Sequence, residues 1–200
     1  ALRSAGEEAL REIVELDAKL SRFRRDSVIS FLQREAVQRP VPLEADLFEL
    51  FAECEAIRVA SDGLFDIAVG ASMERWGFHQ TGPGDERPSL AAPSEPPEQF
   101  NADGGAWPAG ASYRLDAGTR TIQLRPGVRM DLGGVAKGFA LDRAAMILRD
   151  LGIDRALLHG GTSAIVAIGA PPDRAAWSIR LAIPGTAETS GADRSASNPP

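Results

Sequence analysis

Residues 131–143 have the sequence DLGGVAKGFALDR, and this stretch predicts how the centre of the chain folds. Residues 121–125 before it alternate apolar and polar side chains as a strand does, and residues 126–127 are a Pro-Gly turn signal. After the glycine pair at 133–134, apolar residues recur at helical spacing until Gly152, a residue type that commonly ends a helix. The pattern therefore predicts a strand that leads through a glycine turn into the N-terminus of a helix.

Such a turn predicts an anion site. A helix N-terminus presents unpaired N–H groups and the positive end of the helix dipole, and phosphate is the anion most often bound there. Lys137 in the first turn costs an isolated helix roughly 0.3–1 kcal/mol, which an adjacent anion would offset. The P-loop and the dinucleotide fingerprint do not match, because Lys137 precedes Gly138 and because Gly133 and Gly134 are adjacent. From spacing alone, a glycine-rich turn with a solvated lysine is an equally good interpretation.

A wider part of the sequence resembles a known family. Residues 131–144 resemble the signature of the ApbE-type FAD:protein FMN transferases. Four further blocks resemble segments of that family in the same order, at residues 20–30, 65–78, 156–161 and 177–184. Five ordered blocks are far more specific than one short glycine motif. An unrelated nucleotide-binding fold that shares only the glycine turn is therefore the weakest of our hypotheses.

The predicted fold is α+β, with a mixed β-sheet covered by helices, and the resemblance makes it a truncated ApbE-like flavin transferase fold. Periodicity predicts helices at 4–20, 26–35 and 43–60, a hairpin at 112–125 and strands at 155–159, 163–168 and 177–183. We expect one partial ApbE-like domain over residues 1–184. Five prolines without periodicity predict a mobile loop at 80–99, and the lack of large apolar residues predicts a disordered tail at 185–200.

Composition limits the partners and the compartment. A net charge of −6 argues against nucleic acid as a partner, and no apolar run reaches the roughly 18 residues of a membrane span. The lone Cys54 excludes an internal disulfide and a cysteine-based metal site, and its place on an apolar helix face predicts a buried thiol. The resemblance favours the bacterial cell envelope or periplasm, whereas the lack of a visible signal peptide leaves the cytoplasm open.

The resemblance also implies a reaction and a site. Members of the family split FAD at its pyrophosphate, attach FMN to a threonine of an acceptor flavoprotein, release AMP and use Mg²⁺. The residues that match the family's FAD contacts are Phe23, Leu64, Phe65, Asp66, Asp131 and Lys137, with Lys137 holding the phosphates, and Gly134 would offer its backbone carbonyl to the metal. No residue is assigned a catalytic role.

Three points qualify this assignment. Asp66 could instead be the N-cap of a helix that runs to Trp76, an interpretation of equal weight before the resemblance is considered. Gln33 stands where many relatives have asparagine, which puts one polar contact in doubt. We expect the family's remaining metal ligands to belong to a segment that would follow Pro184 and that this chain lacks. A catalytically silent FAD-binding or scaffolding relative is therefore the alternative function.

Overall fold

The computed structural model describes residues 2–77, 110–161 and 163–180. The loop predicted at 80–99 and the tail predicted at 185–200 lie outside these residues. The helices are α1 (Leu2–Leu20), α2 (Val28–Glu35), α3 (Ala45–Ala60), α4 (Gly70–Arg75) and α5 (Ala136–Asp150). The strands are β1 (Val41–Pro42), β2 (Tyr113–Asp116), β3 (Thr121–Leu124), β4 (Ala156–His159) and β5 (Ile165–Ile168). In this part of the chain, no helix is both long and apolar enough to cross a membrane.

The second helix begins at a serine cap. Ser27 Oγ accepts a hydrogen bond from the Ser30 N–H at 3.1 Å, so Ser27 rather than Asp26 is the N-cap of α2. Asp26 pairs with Arg24 at the surface instead. The cap fixes the end of the loop at 21–26, which joins α1 to α2.

The described strands form two small antiparallel sheets. The first has the strand order β1-β3-β2, and the second pairs β4 with β5. Residues 117–120 connect β2 to β3, and Asp116 Oδ1 accepts the Thr119 N–H in this turn at 3.0 Å. The predicted hairpin is therefore confirmed, with Ala117 and Gly118 in its turn.

These strands do not form the single mixed sheet that the sequence predicts. The connections at 117–120 and 160–164 are too short for the crossover that a parallel pair requires, so each hairpin is antiparallel. In the described ranges the one parallel contact is an isolated bridge between Val69 and Arg129. The α+β class is confirmed.

The strand predicted at 177–183 also differs. Residues 177–180 form no strand, and 181–183 lie outside the described residues. Trp177 instead donates its indole N–H to the Ile168 carbonyl at 3.2 Å, so this segment returns to the end of β5 through a side chain rather than through strand pairing.

The main core lies between α2, α3 and the first sheet. Its fully buried side chains include Ile29, Leu32, Phe51, Ile122 and Leu124. Met130 and Leu132 belong to the same cluster and flank Asp131 in the chain. Burying a side chain of this size contributes about 1.5–3 kcal/mol, so the backbone at Asp131 is fixed by its two neighbours.

A second cluster joins α1 to α5. It consists of small and branched side chains from the two helices and from β5, namely Ala5, Ala9, Ala144, Ala145, Leu148 and Ile168. Alanines at the contact let the two helices approach closely. Because α5 directly follows the glycine turn, this packing fixes the direction of its N-terminus.

Cys54 lies on the buried face of α3. Its side chain is 1% exposed and forms no disulfide, which confirms the predicted buried thiol. Burial raises the pKa of this thiol to about 11, and the charge of Glu53 adds to the rise. The thiol is therefore protonated and unreactive at neutral pH.

Candidate functional site

Two distant segments of the chain meet beside the glycine turn. Asp131 donates its backbone N–H to the Ile67 carbonyl at 2.7 Å, and Gly70 donates its N–H to the Arg129 carbonyl at 2.9 Å. A Cβ built on Gly70 would lie 2.7 Å from the Arg129 oxygen, so only glycine permits this approach. These contacts bring together the two segments that carry the predicted residues Asp66 and Asp131.

The Asp131 carboxylate is sheltered and held from two directions. Its Oδ1 accepts the Gly133 N–H at 2.8 Å, and its Oδ2 accepts a hydrogen bond from Arg22 Nη1 at 3.1 Å. The Asp131 side chain is 9% exposed. Arg22 Nη2 donates in turn to Glu74 Oε1 at 2.7 Å. The carboxylate therefore lies in a charged network that joins the loop after α1, the helix α4 and the glycine turn.

The glycine turn ends at the start of α5. The Leu132 carbonyl accepts hydrogen bonds from the N–H groups of Val135 and Ala136 at 2.9 and 2.7 Å, which closes the turn. The Val135 side chain caps no N–H of α5, so the helix begins without a side-chain acceptor for its first turn. This start is the one that the sequence predicts, and of the amides in the first turn that of Ala136 is already bonded to Leu132.

Lys137 lies in the first turn of α5 and is exposed. Its ammonium has no ion pair or hydrogen bond within the described part of the chain. A Cβ built on Gly160 would lie 3.8 Å from the Lys137 Cβ, so the loop after β4 runs beside the helix start. The lysine is therefore at the edge of the turn, with its charge not neutralised by the residues described around it.

One aromatic ring packs against the same turn, and two exposed apolar side chains belong to the neighbouring segments. A Cβ on Gly134 would lie 3.9 Å from Phe65 Cε2, which places the Phe65 ring against the turn. Leu64 is 93% exposed and Phe23 is 60% exposed. The Arg22 guanidinium carbon lies 5.2 Å from the centre of the Phe23 ring, so Phe23 lies next to the network that holds Asp131.

Asp66 does not cap the following helix. Its Oδ1 accepts the Ala68 N–H at 2.8 Å, which makes a local turn, whereas Val69 is the N-cap of α4. The helix-cap interpretation is therefore wrong, and the carboxylate shapes the segment that leads to Ile67. Aspartate readily forms such hydrogen bonds from its side chain to a backbone N–H two residues further on.

A buried tyrosine lies behind this segment. Burial raises the pKa of Tyr113 well above its usual range, and the charges of Glu55 and Asp66 add to the rise. Its hydroxyl makes no hydrogen bond of good geometry to the described residues, although Glu55 is close. Glu55 is held by Arg58 at 2.7 Å, and this contact lowers the pKa of Glu55. Tyr113 therefore stays neutral and acts as part of the wall of the core.

The described residues do not by themselves form a magnesium site. In residues 2–77, 110–161 and 163–180, no three His, Cys, Asp or Glu side chains are grouped so as to hold a metal ion. Asp131, the carboxylate nearest in sequence to the Gly134 carbonyl, is engaged by Arg22 and Gly133. Because Mg²⁺ takes six oxygen ligands and usually one or two carboxylates, the Gly134 carbonyl alone does not satisfy it.

Two residues of this site carry no signal in the sequence. Arg22 bonds Asp131, and Glu74 bonds Arg22. Gln33, where a polar contact was in doubt, accepts the Met130 N–H through its Oε1 at 3.0 Å, next to Asp131 in the chain. No local pattern marks these partners, because Arg22 and Asp131 are separated by 109 positions and meet only in the folded chain.

The chain matches known proteins over most of its length. A FAD:protein FMN transferase of Haemophilus influenzae is 30% identical over 176 residues, which cover 86% of this chain and 48% of that protein. One of Rhodobacter capsulatus is 35% identical over 124 residues, covering 60% of this chain and 21% of that protein. The chain thus spans about half, or less, of the length of these curated relatives.

Solved structures show the same fold. The crystal structure of the ApbE protein from Thermotoga maritima matches with a TM-score of 0.65 and 25% identity, covering 84% of this chain and 52% of that one. A mutant flavin transferase ApbE from Vibrio cholerae matches with a TM-score of 0.70 and 20% identity, covering 92% and 60%, a likeness in fold alone. The model of the ApbE family matches residues 2–196. This chain therefore belongs to the ApbE family.

Proposed function

We propose that this chain is a FAD:protein FMN transferase, which moves FMN from FAD to a threonine of an acceptor flavoprotein and releases AMP. Its family and the names of its curated relatives support the reaction class. The observation that carries the proposal is the meeting of the Phe65–Asp66 segment with the glycine turn through the bond between Asp131 and Ile67. This contact joins the Phe65–Asp66 segment to the segment that leads into α5, which supports their binding one nucleotide together.

The proposed binding mode follows from charge and exposure. The N-terminal amide groups of α5 and the Lys137 ammonium would hold the pyrophosphate. The amides present the partial positive charge of the helix N-terminus, and the ammonium adds a full one. The exposed faces of Phe23, Leu64 and Phe65 offer apolar area to a flat ring system. Asp131, already bonded to Arg22, would contact a neutral donor of the nucleotide rather than a phosphate.

The proposed step is a displacement at phosphorus. The hydroxyl oxygen of the acceptor threonine attacks the phosphorus of the FMN half of FAD, and a new P–O bond forms. The bond from that phosphorus to the bridging oxygen breaks, AMP leaves with that oxygen, and the threonine proton passes to a base or to solvent. The flavin is neither oxidised nor reduced. In such a transfer most of the rate comes from positioning and from neutralising charge on the phosphates.

The Mg²⁺ requirement is part of the proposal and rests on the family resemblance. When bound, the metal would neutralise charge on the phosphates. Among the described residues the Gly134 carbonyl is the candidate ligand, and further oxygens would have to complete the site. Because one carbonyl is not a complete Mg²⁺ site, we assign the metal no step in the reaction.

The alternative is a relative that binds FAD without transferring FMN. The observation in its favour is that the described residues group no three metal-binding side chains. FAD binding is common to both functions, whereas covalent transfer belongs to the first. Formation of a flavinylated acceptor therefore distinguishes the two functions, whereas the affinity for FAD does not.

The test is an incubation of the chain with FAD, Mg²⁺ and a threonine-bearing acceptor, followed by mass spectrometry of the acceptor and chromatography for AMP. We expect a flavin adduct on the acceptor and AMP in equal amount. A matched acceptor with valine in place of the threonine should stay unmodified. Retention of FAD with neither product would support the silent relative, and failure to bind FAD would refute both functions.

A further inference from the structure

Arg22 lies between two carboxylates at the edge of the glycine turn. Its two terminal nitrogens donate separately, to Asp131 Oδ2 at 3.1 Å and to Glu74 Oε1 at 2.7 Å. The side chains of Arg22, Asp131 and Glu74 are 10%, 9% and 24% exposed. Ion pairs as sheltered as these are costly to break, because each sheltered charge would lose a close counter-charge.

Two donors hold the Asp131 carboxylate from different directions. The Gly133 N–H holds Oδ1 at 2.8 Å, and the guanidinium holds Oδ2. Bonds to both oxygens restrict rotation about the terminal bond of the side chain, a torsion that is otherwise broad in aspartate. The positive charge also offsets the repulsion between this carboxylate and a nearby diphosphate, which is strong in a sheltered site.

We propose that Arg22 is a positioning residue, which holds the Asp131 carboxylate in the orientation that contacts FAD while Glu74 fixes the guanidinium. The inference rests on the proposed FAD site, since Asp131 would contact the nucleotide there. The network also links three places on the chain, because Arg22 is 52 positions from Glu74 and 109 from Asp131. Arg22 thereby ties α4 and the loop before α2 to the glycine turn.

Arg22→Lys tests this assignment, because lysine keeps the charge but cannot donate from a rigid fork to two carboxylates. We expect FAD to bind about tenfold more weakly, measured by the change in flavin fluorescence, as for the loss of one charged hydrogen bond. Hydrogen exchange at the Gly133 amide, measured without FAD, should be faster than in the wild type. Arg24→Lys is the matched control. Because Arg24 pairs with Asp26 at an exposed position, this substitution should change neither the FAD affinity nor the exchange of Gly133.

The outcomes separate this inference from the proposed function. Unchanged FAD affinity and unchanged Gly133 exchange in folded Arg22→Lys would overturn the inference, even if the melting temperature falls. If the 200-residue wild-type chain binds no FAD, the proposed function fails, and Gly133 exchange alone decides whether Arg22 holds Asp131. If Arg22→Lys does not fold, Glu74→Gln replaces it, and we expect smaller changes in the same direction. Wild-type values in Glu74→Gln would then overturn the inference.

Discussion

Asp131 and Ile67 are joined by a backbone hydrogen bond of 2.7 Å between the Asp131 N–H and the Ile67 carbonyl. Ile67 is 2% exposed, so the acceptor belongs to a buried residue that cannot move without disturbing the core. The bond links the segment that contains Phe65 to the segment that contains Gly134. The candidate site therefore depends on the register between these two segments, and variants that disturb the register should affect ligand binding.

Gly70→Ala is the most direct test of this register. The new Cβ would lie 2.7 Å from the Arg129 oxygen and 2.9 Å from the Arg129 carbonyl carbon, a clash that only a backbone shift can relieve. We expect the free energy of unfolding to fall by about 1–3 kcal/mol, as for other overpacked sites, and FAD binding to weaken. Urea denaturation and a FAD titration on the same preparation measure both effects.

The control for this variant is Gly6→Ala in α1. A Cβ at Gly6 meets no atom within 4 Å, so the same change of residue type meets no obstacle there. Alanine is a better helix former than glycine, and this variant should gain about 1 kcal/mol of stability. If Gly70→Ala is as stable as the wild type, the contact between Gly70 and Arg129 is not tight in solution.

Gln33→Leu tests a second support of the site. Gln33 Oε1 accepts the Met130 N–H at 3.0 Å, and leucine keeps the approximate size but leaves that N–H without an acceptor. We expect a loss of about 1–3 kcal/mol in the free energy of unfolding, the usual cost of an unsatisfied buried group. The control is Gln38→Leu, at an exposed glutamine that follows α2. It should change the free energy of unfolding by no more than about 0.5 kcal/mol. Equal effects of the two substitutions would assign Gln33 no role at the site.

Local patterns in the sequence predict the helices, the hairpin and the glycine turn before α5, because each depends on spacing or on turn residues close together in the chain. They do not predict that Arg22 and Glu74 meet Asp131, or that Gln33 meets the backbone at Met130. These contacts join distant positions and arise only when the core is packed. Periodicity likewise marks a strand but does not identify its neighbour, and the described strands pair in two antiparallel sheets rather than in one mixed sheet.

Cys54 gives a pH dependence of known sign. The pKa of its thiol is raised from 9.0 to about 11 in the folded chain, so the folded state binds its proton more tightly than the unfolded state. The stability that follows is fully present below about pH 9 and is lost as the pH rises towards about 11. The melting temperature should therefore fall more between pH 8 and pH 10.5 in the wild type than in Cys54→Ala. Identical pH dependence in the two chains would show that the thiol is not buried as described.

Lys137→Ala separates the two interpretations of the glycine turn, because it should move stability and binding in opposite directions. The exposed lysine makes no ion pair with the described residues, and a cation in the first turn disfavours the helix by roughly 0.3–1 kcal/mol, so alanine should leave the chain as stable or slightly more stable. FAD and ADP should bind more weakly by on the order of 1–3 kcal/mol, since a charged partner of the phosphates is lost.

Lys19→Ala is the matched control for Lys137→Ala. Lys19 pairs with Glu44 at 3.0 Å near the end of α1, and its pKa is raised mainly by this hydrogen bond. Removing it should cost no more than about 1 kcal/mol of stability, as for other exposed ion pairs, and should leave nucleotide binding unchanged. Calorimetric titration with ADP measures binding of the adenosine diphosphate part without the flavin. If ADP binds Lys137→Ala as tightly as the wild type, the lysine is merely solvated, and the phosphates of FAD must lie elsewhere than at the start of α5.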